Sequence, residues 1–503
     1  MKKLLLFMLI LSVLIILPAC DTGPSPEEEE EPPAPNPTPT LSSISPTSKV
    51  AHMPAYTLTA TGTDFITTSK IVFDGTEKTT SFVSATSLTC QIDPDDITTA
   101  LSMTQDKSGF PEILDKNVSV LVRTPTPGGG DSSSVDFTIH DNFTFFVPKN
   151  VSNNSGDSYD PAIAVDSSGN INVVWEDDAA GNDEVYFSRS QDGGSTWSAV
   201  INLSSTSDDS DDSCIAIDSS GNISVAWEEG GFPDEIFFRC SQDNGASWSA
   251  AVNISNTSGD SGDPAIAVDS SGNINVVWED DDPGNDDTYF ARSEDNGSTW
   301  SQVKNVSNSG DNSRDPDIAV DNSGNINVVW RQSTPADNEV YYSRSTDNGA
   351  TWVQGKNVSN NAADSWDPAI AVDSSGNINV VWDELTPGNW DIYLSRSSNN
   401  GAGWSAAVNI SNNSGDSEYP AIAVDSAGNL NVVWHDDTSG HEDIYFSRSI
   451  DDGSTWTAFL NISNTAGDSY NPSIGVDSTG NINIVWEDDT PGNWEILFAG
   501  STR

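Results

Sequence analysis

Short apolar segments separated by polar turns fill most of the chain, and many have the two-residue alternation of β-strands. In the second part of the chain this pattern repeats. The motif Gly-Asn-Ile-Asn-Val-Val-Trp, or a close variant, returns every 51 or 52 residues. Each repeat unit holds four strand-like segments, in the first unit at residues 161–166, 170–176, 184–190 and 196–204. Four strands in a repeat of this length predict the blades of a β-propeller.

The number of repeats predicts how the propeller closes. The motif ends at seven tryptophans, Trp175, Trp227, Trp278, Trp330, Trp382, Trp434 and Trp486. The last unit lacks a fourth strand, because the sequence reaches Arg503 where that strand would start. Residues 145 and 150–152 match the fourth-strand positions 197 and 202–204 of the first unit and supply the missing strand. We therefore predict an all-β fold with a seven-bladed β-propeller over residues 141–503, closed by an N-terminal strand that removes the open sheet edges.

A second motif recurs in register with the first. It reads Ser-Gln-Asp-Gly-Gly-Ser-Thr-Trp at residues 190–197, and four close copies follow. The motif resembles the Asp-box (S-x-D-x-G-x-T-W) of sialidases and related propellers, although one further copy has Asn399 in place of the aspartate. The resemblance implies a turn between the third and fourth strands. It also implies structural rather than catalytic roles for the aspartates of the five copies, Asp192, Asp243, Asp295, Asp347 and Asp451.

Residues 42–140 form a separate region of short strand-like segments, among them residues 56–60, 70–73, 87–90 and 118–122. The region has Ile-Ser-Pro near its start, then Gly-Thr-Asp-Phe and Val-Phe-Asp-Gly, and a Gly-rich turn before its last segment. This order of motifs resembles that of immunoglobulin-like IPT/TIG domains. The resemblance implies a β-sandwich that serves as a spacer or as a protein-binding module.

The first 20 residues have the features of a bacterial lipoprotein signal. Met-Lys-Lys precedes an uncharged apolar run that ends at Ile16 and is short for a membrane span. Leu-Pro-Ala-Cys resembles the lipobox, in which the cysteine, here Cys20, is acylated; an ordinary cleaved signal peptide is the alternative. Residues 21–41 are rich in Glu and Pro and predict an extended linker. We expect an extracytoplasmic, lipid-anchored protein, on the cell surface or on the periplasmic side of a membrane.

A net charge of −56 narrows the range of partners. Binding to phosphate backbones needs the opposite sign of charge, so nucleic acid is excluded as a partner. We expect no cofactor. The acids of loops such as Glu279-Asp280-Asp281-Asp282 offer oxygen ligands for Ca²⁺, but they lack a fixed ligand spacing. A solvated acidic surface is therefore the favoured interpretation of these loops.

Two positions in each unit vary although their neighbours repeat. One precedes the Asp-Pro that opens the unit, and the other follows the Val-Val-Trp. Both fall on the face opposite the Asp-box turns, which is the usual ligand face of related propellers. Such variation is typical of a binding surface on a rigid frame, and neutral drift is the alternative. Together with two loop tryptophans, these positions give the ligand-binding candidates Tyr159, Asp211, Arg314, Arg331, Trp366, Trp390, Glu418, His435, Tyr470 and Trp494.

The aromatic candidates suit stacking on sugar rings or anchoring of a protein partner. The favoured hypothesis is that the propeller binds an extracellular glycan or protein through its channel-mouth loops, without catalysis. The alternative is a sialidase-like or other glycoside hydrolase that uses rim carboxylates and Arg314. A sialidase holds its substrate carboxylate with three arginines, and only Arg314 and Arg331 stand at variable rim positions. Catalysis is therefore not favoured, and no catalytic or metal-ligating residue is assigned.

Overall fold

The computed structural model describes residues 34–50, 56–92, 104–105, 111–112, 116–140, 144–282 and 284–502. Across these ranges the regular secondary structure consists of β-strands, so the all-β prediction is confirmed. Among the described residues there is no helix of the length and apolarity that a membrane crossing requires. The predicted signal peptide, Cys20 and residues 21–33 of the predicted linker lie outside the described residues.

The N-terminal domain consists of two antiparallel-rich sheets. The strands of the first sheet are, in order, Thr40–Ser45, Tyr56–Thr63, Ser87–Ile92 and Thr80–Ser84. The strands of the second sheet are, in order, Ser48–Val50, Val135–His140, Lys116–Thr124, Lys70–Phe73 and Thr76–Glu77. Lys116–Thr124 also pairs with Gly130–Asp131, and a separate pair is formed by Thr104–Gln105 and Pro111–Glu112.

Apolar side chains from both sheets form one core in this domain. Leu58 and Leu88 of the first sheet and Ile71 and Val120 of the second sheet are fully buried in the same cluster. Burial on one face of each sheet is the arrangement of a β-sandwich. All four segments predicted from the sequence lie within observed strands, because their period-two pattern reflects this one-sided burial directly.

Each repeat unit of the second domain forms an antiparallel sheet whose strands follow one another in chain order. The first strands are Ser158–Val165, Ser210–Ile217, Ser261–Val268, Ser313–Val320, Ser365–Val372, Ser417–Val424 and Ser469–Val476. The second strands are Ile171–Asp177, Ile223–Glu229, Ile274–Asp280, Ile326–Ser333, Ile378–Leu385, Leu430–Asp436 and Ile482–Asp488. The third strands are Glu184–Ser190, Glu235–Ser241, Asp287–Ser293, Asn338–Ser345, Trp390–Ser397, Asp443–Ser449 and Glu495–Thr502. The fourth strands of units 1 to 6 are short: Ile201–Asn202, Val252–Asn253, Lys304–Asn305, Lys356–Asn357, Val408–Asn409 and Leu460–Asn461.

The sheet of unit 7 takes its outer strands from the start of the domain. Thr144–Phe145 and Lys149–Asn150 both pair with the last strand, Glu495–Thr502. The pairing of Lys149–Asn150 has the same register as that of Ile201–Asn202 in unit 1. The N-terminal strand expected from the sequence match is therefore present.

Units 6, 7 and 1 make the same contacts as the other neighbouring units. Phe145 packs edge-on against Phe446 of unit 6, with 5.5 Å between ring centroids, where the other units use a tryptophan. The first strand of unit 7, Ser469–Val476, lies against that of unit 1, Ser158–Val165. Contacts between first strands thus continue from the last unit back to the first.

The tryptophan of the second strand lies at the centre of each unit. All seven of these side chains have 0% exposure. Each indole N–H donates a hydrogen bond to the polar side chain two residues later, as Trp227 Nε1 does to Glu229 Oε2 at 2.9 Å. The same carboxylate accepts a bond from the hydroxyl of Ser210 at 3.0 Å. An unpaired buried polar group costs about 1–3 kcal/mol, so these bonds allow the strand to be buried on both faces.

The loop between the third and fourth strands is closed by its own side chains. We call residues 190–197 and the equivalents in units 2 to 6 the Asp turns. Asp192 accepts hydrogen bonds from the N–H and the hydroxyl of Thr196, at 2.8 and 2.7 Å. The hydroxyl of Ser190 accepts a bond from the N–H of Gly194 at 2.9 Å. These bonds hold the pKa of Asp192 below its usual range, and they agree with the structural role that the resemblance implied.

The Asp turns also explain an error in the predicted strands. A fourth strand over residues 196–204 was expected, but the observed strand is only Ile201–Asn202. The N–H of Thr196 is bonded within the turn and is not available to a neighbouring strand. In unit 5, Asn399 still accepts the equivalent backbone bond, from the N–H of Gly403 at 2.7 Å.

Neighbouring units are joined by an aromatic ring that covers a glycine. Gly349 of the Asp turn in unit 4 has φ +81°, and a Cβ added to it would lie 2.0 Å from Cε1 of Phe290 in unit 3. Trp352 of the same turn packs edge-on against Phe290, with 5.2 Å between ring centroids. Such a pair contributes about 0.5–1.5 kcal/mol beyond the area that it buries. The same contact recurs between other units, with Tyr342 or Leu394 in place of phenylalanine in two of them.

The arginines that precede the Asp turns belong to the frame of the repeats. Arg189 is buried, and its Nη2 lies 2.8 Å from Oδ2 of Asp166 in the hairpin between the first and second strands. Four other units repeat this ion pair, through Arg292, Arg344, Arg396 and Arg448. Unit 2 has Cys240 at this position, and it forms no disulfide with Cys214, in line with their non-adjacent strands.

We predict that Gly349→Ala lowers the melting temperature much more than Gly376→Ala. The two glycines have φ values of +81° and +82°, but a Cβ at Gly376 would meet nothing within 4 Å. Alanine at positive φ costs about 1–2 kcal/mol at either position. The overlap with Phe290 adds about 1–3 kcal/mol at Gly349 alone. Thermal unfolding followed by circular dichroism measures the difference, and equal melting temperatures would contradict the proposed contact.

Candidate ligand-binding site

The two variable positions of each unit face each other across the first and second strands. Trp366 pairs with Asp383 in unit 5, and Tyr470 pairs with Glu487 in unit 7. Directly after the variable residue of the first strand the register shifts, as at Asp160, which has φ 44° and precedes a proline. In six units the next residue is a proline, which has no N–H to give to the ladder, and the strand bulges at this point. Unit 2 has Ser213 there and bulges at the same position.

These bulges line a central cavity of about 330 Å³, to which every unit contributes two residues. One of the two residues directly precedes the proline position, and in five of the seven units it is an aspartate. These seven residues are Asp160, Asp212, Asp263, Asp315, Asp367, Tyr419 and Asn471. The sequence did not predict this ring, because the repeated Asp-Pro was interpreted as part of the framework. The replacement of aspartate by Tyr419 and Asn471 in two units was the sequence feature that could have indicated it.

The acids after the tryptophan motif connect neighbouring units around this ring. Glu487 Oε2 of unit 7 accepts a hydrogen bond from the N–H of Asp160 in unit 1, at 3.0 Å. Glu176 Oε2 accepts a bond from the N–H of Asp212 in unit 2, at 3.3 Å. These carboxylates therefore lie next to the ring of aspartates at the channel mouth. They also accept hydrogen bonds from the backbone N–H groups of the bulges.

The concentration of acids changes their protonation. Burial, followed by the charge of Asp160, raises the pKa of Glu487 to about 7. Burial, followed by the charge of Asp234, raises the pKa of Glu228 to about 7. Glu176, beside Asp160 and buried, has its pKa raised further. Several of these acids consequently keep a proton near neutral pH.

The two rim arginines are bound by acids. Arg331 Nε lies 2.5 Å from Asp315 Oδ2, and its guanidinium lies 4.1 Å from the ring centroid of Trp366. Arg314 pairs with Asp286 at 2.5 Å and is otherwise exposed. No arginine lines the central cavity among the described residues. This arrangement does not provide the three-arginine clamp that a sialidase mechanism needs.

Five aromatic side chains form a continuous row across units 6, 7 and 1, which we call the aromatic row. Ring centroids of successive members are 5.2, 5.0, 5.8 and 6.1 Å apart. Its first member is 51% exposed and its second is buried, while the other three are partly exposed. The members are, in spatial order, Tyr419, His435, Tyr470, Trp494 and Tyr159.

The structure divides the ten predicted candidates into groups. Four of them belong to the aromatic row, and Glu418 lies beside it, with Oε2 3.8 Å from Nε2 of His435. Trp366 and Trp390 form an edge-on pair, 6.2 Å between centroids, to which Arg331 adds its guanidinium. Two candidates are in neither group. They are Arg314, bound to Asp286, and Asp211, whose pKa is raised to about 6 by burial and then by the charge of Asp183.

The loop predicted to offer calcium ligands contributes one residue to a possible cation site. Glu279 joins Asp263 and Asp315, and their ligand oxygens all lie within 4.8 Å of one another. Asp280 is instead buried and accepts a hydrogen bond from the hydroxyl of Ser261 at 2.8 Å. Three carboxylates suit Ca²⁺, but the ion pair of Asp315 with Arg331 already supplies positive charge there. The expectation from the sequence, a solvated acidic surface with Ca²⁺ binding as the alternative, stays a prediction.

We predict that Glu487→Gln stabilises the protein at pH 8 and leaves its stability nearly unchanged at pH 4.5. The pKa of Glu487 is about 7 in the folded chain, above the ordinary glutamate value, so folding keeps a proton that the unfolded chain releases. The wild type therefore loses stability as pH rises from the unfolded pKa to the folded one, by about 3 kcal/mol at most. Glutamine mimics the protonated acid and does not titrate.

Melting temperatures of both proteins between pH 4.5 and pH 8 provide the measurement, at constant ionic strength and with a chelator present. Glu294→Gln is the matched control, because that carboxylate is 66% exposed on an Asp turn. A Glu487→Gln protein less stable than the wild type at pH 8 would show that the buried acid is ionised and favourably bonded.

Two family models match the chain. Residues 39–139 match the IPT/TIG domain, and residues 235–432 match the BNR repeat-like domain. A search of curated proteins gives no significant match.

Solved structures with a similar fold include an ulvan lyase of a new polysaccharide lyase family, bound to a glucuronate–sulfated rhamnose unit. It is 12% identical, with a TM-score of 0.50, over 70% of this chain and 94% of that chain. A protein of unknown function from Dyadobacter fermentans is 13% identical, with a TM-score of 0.48, over 72% and 99%. The intramolecular trans-sialidase from Ruminococcus gnavus is 13% identical, with a TM-score of 0.42, over 70% and 95%. Identities this low concern the fold alone. The sequence resemblance is confirmed by the family models: the chain contains an IPT/TIG domain followed by a BNR repeat-like domain with a propeller-like fold.

Proposed function

We propose that the protein is a cell-envelope lipoprotein that binds an extracellular glycan at the mouth of its repeat domain, without cleaving it. In this proposal the seven sheets are the blades of one closed propeller, and the Asp turns are Asp-boxes. The N-terminal lipid on Cys20 anchors the chain, and the acidic, proline-rich linker extends the folded domains away from the membrane. The IPT/TIG domain acts as a spacer between linker and propeller.

The aromatic row is the observation that carries the proposal. Sugar rings present apolar C–H faces that stack on aromatic side chains, and a row offers several such contacts in sequence. Tyr419 is exposed, and Trp494 and Tyr159 are partly exposed at the same end of their units. The seven tryptophans of the second strands explain the core, whereas packing of the core does not require an exposed row at the rim.

The rigid frame supports binding without conformational change. Each row member stands on or beside a strand that is held by the ladder, by the buried tryptophan and by bonds to the next unit. Preorganised aromatic contacts lower the entropy cost of binding an oligosaccharide.

Glycoside hydrolysis is the alternative, and one observation favours it. The protonated carboxyl groups of the channel mouth, with Glu228 and Glu487 near pKa 7, have the property that a general acid needs. The two acids of a glycosidase must flank a bound sugar ring. Because Arg314 and Arg331 both form ion pairs with aspartates, a sialidase mechanism is not supported. Turnover of any fluorogenic glycoside that is abolished by Arg314→Ala or Glu487→Gln would establish the alternative.

We predict that Cys20→Ser abolishes the incorporation of fatty acid into the protein. Without the thiol no acyl chain can be attached, whether the leader is cleaved or kept. Metabolic labelling of cells with a fatty acid analogue measures this effect. A Cys20→Ser protein that stays labelled would refute the lipid anchor, and Cys90→Ser is the control, because Cys90 is buried in the IPT/TIG core.

We predict that Tyr470→Ala and Trp494→Ala each weaken glycan binding at least about fivefold. Loss of one stacking side chain from a sugar site removes about 1–3 kcal/mol of binding free energy. A glycan array probed with the full-length protein in detergent identifies the ligand, and calorimetry with that ligand compares the variants. Phe232→Ala is the matched control, because Phe232 is a fully exposed aromatic residue between the second and third strands of unit 2, outside the row.

Equal affinity of the row variants and the wild type would refute the aromatic row as the site. A protein ligand captured through the row, with no signal on the array, would replace the glycan by a protein partner. Hydrolysis of an arrayed glycan would favour the alternative function instead.

A further inference from the structure

The aromatic row lies in an unusually negative environment. The charge of Asp367, followed by burial and the charge of Asp383, raises the pKa of the Tyr419 hydroxyl above its usual range. The pKa of Tyr470 is also raised, first by burial and then by the charges of Glu442 and Asp468. Each tyrosine at this end of the row is therefore close to more than one carboxylate.

In the part of the chain that the structure describes, these acids are not neutralised by lysine or arginine. None of the described lysines or arginines forms an ion pair with Glu418, Glu442 or Asp383, and the basic group in contact with them is His435, 3.8 Å from Glu418. The second aromatic group of the mouth differs. There the guanidinium of Arg331 lies over the ring of Trp366 at 4.1 Å. One aromatic group thus already has a cation on its face, and the row has none.

Several residues beside this end of the row have unpaired polar atoms. Asp383 is 98% buried, and its Oδ1 has no hydrogen-bond partner in the structure. Oε2 of Glu442 and Nδ1 of His435 are likewise buried without a partner. Burial, followed by the charge of Asp367, raises the pKa of Asp383 well above its usual range. A positive charge nearby would favour the ionised form of such an acid. We call Tyr419, His435 and Tyr470, with Glu418, Glu442 and Asp383, the acidic end of the row.

We infer that the acidic end of the row binds a protonated amino group, so that the preferred ligand is a glycan with free amino sugars. This inference rests on the proposed function and adds the class of sugar to it. An ammonium group can donate to the partly exposed carboxylate of Glu418, and its charge is attracted to the faces of the tyrosine rings and to the buried acids behind them. N-acetylation removes the charge, and uronate or sulfate groups would be repelled by the surrounding carboxylates.

The test compares two oligosaccharides that differ only in their amino groups. Glucosamine oligomers linked β-1,4 carry free amines, and the fully N-acetylated oligomers of the same length do not. Calorimetry with the full-length protein in detergent, below the pKa of the amines, should give at least about tenfold tighter binding of the free amine. Raising the ionic strength should reduce this preference, because the attraction is screened.

Variants assign the preference to the acidic end of the row. Glu418→Gln with Glu442→Gln keeps the shape of both side chains. It removes the carboxylate of Glu418 and the carboxyl of Glu442, whose pKa burial raises to about 8, so binding of the free amine should fall about tenfold. Binding of neutral oligomers, where measurable, should not change. Glu294→Gln is the matched control, because it removes an exposed carboxylate on an Asp turn. If the double variant does not fold, as judged by circular dichroism, Glu418→Gln alone serves as the test.

The outcomes separate this inference from the proposed function. Equal affinity for the two oligomers, or an unchanged preference in the double variant, would overturn the amine site. A neutral or anionic glycan that binds in a row-dependent manner, while glucosamine oligomers do not, would keep glycan binding and overturn the amine site. Silence of the glycan array together with silence of both oligomers would overturn both proposals. Row-dependent binding of polylysine alone would overturn the glycan and point to a basic protein.

Discussion

The fit of an aromatic ring over the glycine of the next Asp turn sets the spacing between neighbouring sheets. At Gly349 there is no room for a single methyl group against Phe290, and Trp352 closes the other side of the ring. The glycine must also have φ near +80°, because the turn is closed by Asp347 and Thr351. Backbone geometry, side-chain hydrogen bonds and packing therefore all depend on the same few residues, which explains why the motif repeats so closely along the chain.

A regular spacing has a consequence at the centre of the domain. Because each unit bulges at the same residue, seven equivalent side chains meet around one cavity, and five of them are aspartates. The repeat therefore concentrates negatively charged side chains around one cavity, where water has limited access to them. The chain reduces the cost in three ways: backbone N–H groups bond to acids such as Glu487, Arg331 neutralises Asp315, and raised pKa values leave other acids protonated. Tyr419 and Asn471 remove two further charges from the ring.

Departures from the repeat are concentrated on the face that carries the cavity mouth. The frame tolerates them because the ladder and the buried tryptophan fix each strand on either side of the bulge. Units 6, 7 and 1 have aromatic side chains on this face. Unit 4 has arginines there, and these arginines form ion pairs with acids. The two ends of the mouth consequently differ in chemistry although their backbones are equivalent. In the proposed function, this asymmetry, rather than the fold, distinguishes the amine-binding mouth from the anion clamp of a sialidase.

Local sequence determined the strands, the turns and the frame. Period-two segments such as residues 70–73, the Asp turns and the framework arginines depend on neighbours within one unit or the next, and repetition made them readable. The match of residues 150–152 with positions 202–204 even gave the partner of the last strand, because equivalent residues make equivalent bonds.

Tertiary structure alone decided which side chains meet across units. Sequence analysis selected Tyr159, Tyr470 and Trp494 one by one, but the row they form with Tyr419 depends on the rotation between neighbouring sheets. The bulge places the residue after the variable position in the cavity. This residue is an aspartate in five units, so the positions that vary did not indicate the ring. Ion pairs such as Arg331 with Asp315 join two strands of one unit. The charges of both residues also act on the pKa of Asp263 in the preceding unit. Distances of this kind are set by the packing of whole sheets, and no spacing along the chain encodes them.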